Sequence, residues 1–119
     1  MKRKFIYLSL VVLACISLIY SCSSNKAKVN PTPSTPAATV AIQNFAFVPA
    51  TVNIKVGNSV TWTNMDTAPH TATDLANAFD SGSLATGETF NFTFKTAGTY
   101  TYHCLIHSMM KNATVVVRN

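Results

Sequence analysis

Apolar and polar residues alternate with a period of two through most of the chain after residue 38, and the alternating stretches are rich in Val, Thr, Ile, Phe and Tyr. This alternation predicts β-strands with one buried face, and no stretch keeps a helical period over three turns. Phe45 and Phe47 continue the period of the first strand. We predict strands over residues 39–42, 51–56, 59–64, 89–94, 99–104 and 113–117.

The predicted strands are short, and turn signals such as Gly57-Asn58 separate them. Phe90, Phe92 and Phe94 share one face of their strand, which predicts that this face is buried. Short strands of β-branched and aromatic residues at this spacing indicate an all-β fold, built as a two-sheet β-sandwich.

Residues 65–88 interrupt the strand pattern. They contain Pro69, Gly82 and Gly87 together with all four acidic residues of the folded part. We predict that this segment is mostly loop, with a short strand near residues 71–73. A long loop in a compact sandwich commonly carries function.

The first residues have the pattern of an export signal. A Lys-Arg-Lys run at residues 2–4 precedes a mainly apolar stretch, residues 5–20, that is shorter than the ~20 residues of a comfortable bilayer span. The following Ser21-Cys22 resembles a bacterial lipoprotein signal, in which the Cys is lipidated and becomes the mature N-terminus. We predict a signal peptide over residues 1–21 and a membrane attachment through lipid on Cys22. The alternatives are an uncleaved signal anchor and a plain signal peptide.

Residues 22–38 are rich in Pro, Ser and Thr and offer almost nothing to bury, so we predict a semi-extended tether. Residues 39–119 form the folded domain.

The net charge of +5 comes from the N-terminal region. From residue 39 on, four basic residues (Lys55, Lys95, Lys111, Arg118) balance four acidic ones (Asp66, Asp74, Asp80, Glu88). A nearly neutral domain has no basic stripe, and we predict that it binds no nucleic acid.

Cys104 is the one cysteine of the folded domain, because Cys15 leaves with the signal peptide and Cys22 is the predicted lipid site. An exported domain with a single unpaired cysteine is unusual, since oxidising compartments favour disulfides. Such a thiol is either buried and inert or used as a ligand or nucleophile. A nucleophile would need an ordered base, an oxyanion hole and a substrate cleft, which a domain of this size does not offer.

The loop after the strand ending at Cys104 also carries His107 and, three residues further, Met110; His70 lies in the loop that contains Pro69. One thiolate, two imidazoles and one thioether are the ligand set of a copper electron-transfer site. This mixed set satisfies neither Cu(I) nor Cu(II) fully, which keeps geometry changes small. By chemistry alone, Met109 serves as well as Met110.

Four motifs of the domain match a known family. They are residues 61–66 followed by 69–71, residues 79–82, residues 98–104, and His107 with Met110. On these motifs, residues 39–119 resemble the plastocyanin and amicyanin branch of the cupredoxins, the blue copper proteins. The Cys-x₂-His-x₂-Met spacing is the short ligand loop typical of amicyanin.

The resemblance implies an eight-stranded Greek-key sandwich that holds one copper ion. It implies that His70 is a buried ligand and that His107 is a ligand at the solvent edge, through which electrons pass. The spacing favours Met110 over Met109 as the fourth ligand. It also makes Asn64 and Thr71 candidates for the polar groups that connect the ligand loops. His103 points to the opposite face of its strand from Cys104 and is not predicted to be a ligand.

The hypothesis is a monomeric type 1 copper protein that carries single electrons between extracytoplasmic redox partners and has no enzyme activity. The partners themselves are not identified by the sequence, and an apolar surface around His107, formed by Leu105, Ile106 and Met109, is the predicted contact. One alternative is a copper carrier that uses the same ligands. Another is a zinc-stabilised binding module, although thioether ligation is foreign to zinc.

Overall fold

The computed structural model describes residues 37–119, which form eight strands in two four-stranded sheets. The strands are β1 (Ala38–Gln43), β2 (Ala46–Val48), β3 (Thr51–Lys55), β4 (Ser59–Asn64), β5 (Thr73–Asp74), β6 (Thr89–Thr93), β7 (Gly98–His103) and β8 (Ala113–Arg118). The first sheet has the order β2-β1-β4-β6 and the second β3-β8-β7-β5. In this part of the chain no helix is long and apolar enough to cross a membrane.

The chain crosses from one sheet to the other after each of the strands β2, β3, β4, β5 and β6. β1 pairs in parallel with β4, and β3 pairs in parallel with β8, while the other neighbours are antiparallel. These crossings confirm the predicted all-β, Greek-key two-sheet sandwich. The signal peptide over 1–21 and nearly all of the tether over 22–38 lie outside the described residues.

The core lies between the inward faces of the two sheets, as the alternating pattern requires. Trp62 of β4 and Tyr102 of β7 are fully buried, with ring centroids 5.5 Å apart in an edge-on arrangement. Phe79 from the long loop packs 5.1 Å from Trp62. Each large apolar side chain buried here contributes about 2 kcal/mol of transfer free energy. The same cluster includes Cys104 and Met110, so the core continues directly into the predicted copper site.

The prediction that Phe45 continues the first strand is wrong. β1 ends at Gln43, which pairs with Ala46, and the chain reverses over Asn44 and Phe45. Both turn residues have positive φ, 52° and 56°, as the two central residues of a type I′ hairpin loop do. Asn tolerates this conformation, but it is strained for a residue as large as Phe.

A distant carboxylate explains why the chain turns here. The backbone N–H groups of Asn44 and Phe45 donate to the two carboxylate oxygens of Asp66, at 2.7 and 2.9 Å. Two charge-assisted hydrogen bonds offset the strain of the turn. The contact with Asp66, a residue of another loop, therefore outweighs the local alternation, which by itself would continue the strand.

The long loop also differs from expectation in one detail. The short strand predicted near residues 71–73 is β5, shifted to Thr73–Asp74, where it pairs with β7. Two single β-bridges, His70 with Leu84 and Thr73 with Asp80, fold the loop onto itself. The rest of residues 65–88 is loop, as predicted, but it is tightly anchored.

Because Tyr102 is buried, the free energy of unfolding should fall at alkaline pH. Burial raises the pKa of its hydroxyl from 10.0 to about 12, and the nearby Trp62 opposes this rise. A raised folded-state pKa stabilises the fold fully below pH 10, and this contribution is lost as the pH rises through the folded value. We expect urea unfolding of the metal-free chain to show a loss of about 2 kcal/mol by pH 12 from this group. The Tyr102→Phe variant should lack this component of the pH dependence; an unchanged alkaline slope would contradict the assignment.

Candidate metal centre

Three ligand atoms converge at one end of the sandwich. Nδ1 of His70 lies 3.7 Å from Sγ of Cys104, and Nδ1 of His107 lies 3.8 Å from the same sulfur. The two Nδ1 atoms are 3.2 Å apart. Donor atoms of this kind within 4.8 Å of one another form a group that can hold a metal ion. The structure thus brings together the three predicted ligands that carry nitrogen or thiolate donors.

His70 is fixed in the loop after β4 and is fully buried. Its backbone N–H and carbonyl pair with the carbonyl and N–H of Leu84, at 3.1 and 2.8 Å. This pairing fixes the backbone of a residue that lies outside every regular strand. The position of the imidazole therefore depends on the second half of the long loop.

The buried side chain of Asn64, at the end of β4, closes the turn that leads to His70. Its amide donates to the carbonyls of Ala68 and Leu84, at 2.9 and 2.8 Å, and its oxygen accepts from the backbone N–H of Asp66 at 2.9 Å. All three contacts are made with backbone groups that strands do not satisfy. Asn64 therefore supports the loop of His70, but its side chain does not connect this loop to that of Cys104, contrary to what the family resemblance had led us to expect.

Asp66 was not predicted as a site residue. Asp66 lies far from Cys104 in the sequence, but in the structure its Oδ2 lies 2.9 Å from Nε2 of His70. A carboxylate beside one ring nitrogen keeps the proton on that nitrogen and leaves the other, Nδ1, free as an electron-pair donor. The spacing could have indicated this contact, because Asp66 lies four residues before His70 in a loop that reverses direction.

The environment of Asp66 favours its ionised form. The backbone N–H of Phe45 has the largest effect in lowering the pKa of this carboxyl below its ordinary value of 3.8. The N–H of Asn44 and the His70 ring act in the same direction, while burial opposes them. The carboxylate is thus a stable acceptor for both the hairpin turn and the imidazole.

Cys104 follows the last residue of β7 and is buried at 2% exposure. The backbone N–H of Thr71 points to its sulfur at 3.4 Å, and the Thr71 hydroxyl accepts a hydrogen bond from the N–H of Leu105 at 2.8 Å. Thr71 therefore joins the loop of His70 to the loop of Cys104, as the sequence suggested.

The two methionines have opposite environments. Met110 is 5% exposed, and its N–H donates to the carbonyl of His107 at 3.0 Å, whereas Met109 is 79% exposed. A buried thioether inside the ligand loop is the better candidate for a fourth donor. His103 pairs with Thr73 across the β5–β7 ladder and lies outside the three-residue group.

The edge of the site near His107 is apolar. Phe45 packs its ring edge-on against both imidazoles, with centroid distances of 5.2 Å to His70 and 5.0 Å to His107. Phe45 and three residues of the ligand loop, Leu105, Ile106 and Met109, are large apolar side chains exposed to solvent, and we call these four the apolar rim. His107 itself is partly buried, so it lies between the closed interior and the apolar rim.

The donor set tests which metal fits. Two neutral imidazole nitrogens and one thiolate, with a buried thioether next to them in the chain, match the preferences of copper in an electron-transfer site. Zinc in structural sites takes four nitrogen or thiolate donors, and among the described residues only three gather here. The residues present therefore fit copper.

The comparisons with known proteins agree. A profile of the family described as "Copper binding proteins, plastocyanin/azurin family" matches residues 35–118. The amicyanin of Paracoccus denitrificans is 32% identical over 85 residues, 67% of this chain and 65% of that protein. The chloroplastic plastocyanin of Tetradesmus obliquus is 40% identical over 74 residues, 53% of this chain and 51% of that protein. The chain thus spans less than two thirds of the length of either relative.

Solved structures show the same likeness. The purple cupredoxin of Nitrosopumilus maritimus aligns with a TM-score of 0.62 and 31% identity, over 67% of this chain and 98% of that one. A Cu(I) form of an amicyanin variant aligns with a TM-score of 0.64 and 32% identity, over 69% and 82%. With the family profile covering most of the sequence, the chain belongs to the plastocyanin/azurin family of copper-binding proteins.

Proposed function

We propose that this protein carries single electrons by means of one copper ion held by His70, Cys104, His107 and Met110. The observation that carries the proposal is the convergence of three donor atoms within 4.8 Å in a closed part of the core. A bound copper ion would supply the Cu(I)/Cu(II) couple.

The chain's own residues give the site the properties that electron transfer requires. Asp66 keeps the ring of His70 in the form with Nδ1 free, and Thr71 directs an N–H at the sulfur of Cys104. Burial of these groups excludes water as an additional ligand. His107 is the ligand closest to the apolar rim, which makes it the natural exit for the electron.

The apolar rim supports the proposed contact with redox partners. Leu105 is 58% exposed, Ile106 45% and Met109 79%, in the ligand loop itself. An exposed apolar patch beside a closed metal site is suited to short-lived association, since it needs no charged partner surface. The donor and acceptor are therefore proposed to be proteins that meet this rim, with the chain acting as a monomer.

The proposed location is outside the cytoplasm. This part of the proposal depends on the signal-like residues 1–21 and on Cys22 as the lipid site, which are sequence observations. Mass measurement of the protein extracted from membranes tests it: a diacyl- or triacyl-modified species that begins at Cys22 is the expected result. A mature chain without lipid would leave a soluble exported protein.

The thiolate assignment predicts colour. The full chain loaded with Cu(II) should show intense visible absorption from thiolate-to-copper charge transfer, and Cys104→Ser should abolish it. Cys22→Ser is the matched control, because it makes the same substitution at a cysteine outside the folded domain. A colourless wild-type product would contradict the proposal.

Ready transfer of Cu(I) to an apo-acceptor, with slow electron self-exchange, would favour the copper carrier instead.

The two methionines can be separated by substitution with Leu, which keeps the apolar volume. Met110→Leu should retain the colour and raise the reduction potential, because Cu(II) loses a weak donor. Met109→Leu should leave the potential unchanged, since that side chain is 79% exposed. A shift confined to Met109→Leu would transfer the axial role to Met109.

The carboxylate of Asp66 should lower the reduction potential, because a negative charge on the far side of His70 stabilises Cu(II) more than Cu(I). We expect Asp66→Asn to raise the potential measured by voltammetry. Glu88→Gln is the control, since it removes an equal charge from a carboxylate that bonds to the N–H of Ala85 and not to a ligand. Equal shifts in the two variants would show a general charge effect and contradict a specific role for Asp66.

A further inference from the structure

A row of three oxygen atoms leads from the surface to the ligand loops. Oγ1 of Thr71 lies 3.0 Å from Oγ1 of Thr73, which lies 3.0 Å from Oδ1 of Asp80. The two threonines are buried, at 4% and 6% exposure, while Asp80 is exposed. At the inner end, the N–H of Leu105 donates to Thr71. The row thus connects a surface carboxylate to the residue that follows Cys104.

The carboxylate sets the direction of the hydrogen bonds. Each threonine hydroxyl has one proton, and an ionised carboxylate can only accept. The Thr73 proton therefore points to Asp80, and the oxygen of Thr73 is left to accept the proton of Thr71. The oxygen of Thr71 then has its lone pairs available for the N–H of Leu105. With an oxygen that only accepts at its outer end, all the hydrogen bonds of the row point in the same direction.

Asp80 is positioned without help from the ligands. Its Oδ1 also accepts from the N–H of Gly82 at 2.9 Å. The next residue, Ser81, accepts the N–H of Ala72 on its hydroxyl at 2.8 Å and donates its own N–H to the Ala72 carbonyl at 3.1 Å. The turn that carries Asp80 is therefore attached to the backbone just beyond His70.

Thr71 contacts the segments of both buried ligands. It follows His70 in the chain, its N–H points to the sulfur of Cys104, and its hydroxyl accepts from Leu105. Any rotation of the hydroxyl or shift of the Thr71 backbone would alter the spacing of the two loops. By holding Thr71 in place, Thr73 and Asp80 therefore also restrain the positions of the donor atoms.

We propose that Thr73 and Asp80 are positioning residues for electron transfer, acting through Thr71. They hold the loops of His70 and Cys104 in one arrangement, so that the protein around the donors reorganises little when the charge of the site changes. This inference rests on the proposed function and adds to it a role for two residues that are not ligands. Neither residue touches a ligand directly; each acts through hydrogen bonds.

The test compares three variants of the copper-loaded full chain. Thr73→Val interrupts the row with little change in volume and keeps the charge of Asp80, and Asp80→Ala removes the terminal acceptor. We expect both to retain the visible absorption and to slow electron self-exchange, measured by NMR line broadening, by about fivefold, the rate equivalent of one neutral hydrogen bond. Asp80→Asn is the conservative control, because its amide oxygen still accepts, and it should resemble the wild type.

A second readout does not involve copper. In the metal-free chain, the Leu105 amide should exchange its hydrogen faster in Thr73→Val and Asp80→Ala than in the wild type, and Asp80→Asn should preserve the protection. If these two variants change only the unfolding temperature, the residues are merely structural and the proposal is overturned. If Asp80→Asn slows self-exchange as much as Asp80→Ala, charge rather than the hydrogen-bonded row is responsible, which overturns it as well. A wild-type chain without colour but with the predicted exchange pattern would refute the proposed function and leave the row intact.

Discussion

The imidazole of His70 is fully buried, and a buried ring needs a partner for each of its nitrogens. Asp66 occupies Nε2, so that Nδ1 is the nitrogen that faces Cys104 and His107. Which atom becomes the donor is therefore decided by a carboxylate outside the donor group. Exchange of the two ring nitrogens would leave a protonated nitrogen pointing at the thiolate, and the site could not hold a metal in the same way.

The same carboxylate extends its influence to the apolar rim. By accepting the N–H groups of Asn44 and Phe45 it stabilises a turn in which Phe45 has a strained φ of 56°. In that conformation the Phe45 ring packs against the imidazoles of both His70 and His107. Backbone strain next to a functional site is expected where the surrounding contacts enforce it. Here the strain places an aromatic ring over the more exposed ligand.

The sequence predicts those parts of the protein that depend on period and spacing. Alternation reveals the strands and the burial of Phe94, and the interval between Cys104 and His107 reveals the ligand loop. The turn at Asn44 and Phe45 could not be predicted, because alternation continues through it and its stabilising partner, Asp66, is more than 20 residues away. The roles of Asp66 and Asp80 were missed for the same reason: an acidic residue in a loop looks solvated until the fold shows what it contacts.

The ligands come from two loops, and no pair of strands joins these loops where the donor atoms lie. The donor atoms are nevertheless within 4.8 Å of one another. Side chains make that connection, through Thr71 between the loops and through Asn64 within the first loop. Such contacts restrain the loops around the donors, which lowers the entropic cost of bringing the ligands together. A site that is ordered by its surroundings is also less free to follow the different preferences of Cu(I) and Cu(II). Electron transfer requires this restraint, and in this protein it follows from how two polar loops are attached to a sandwich of β-branched and aromatic residues.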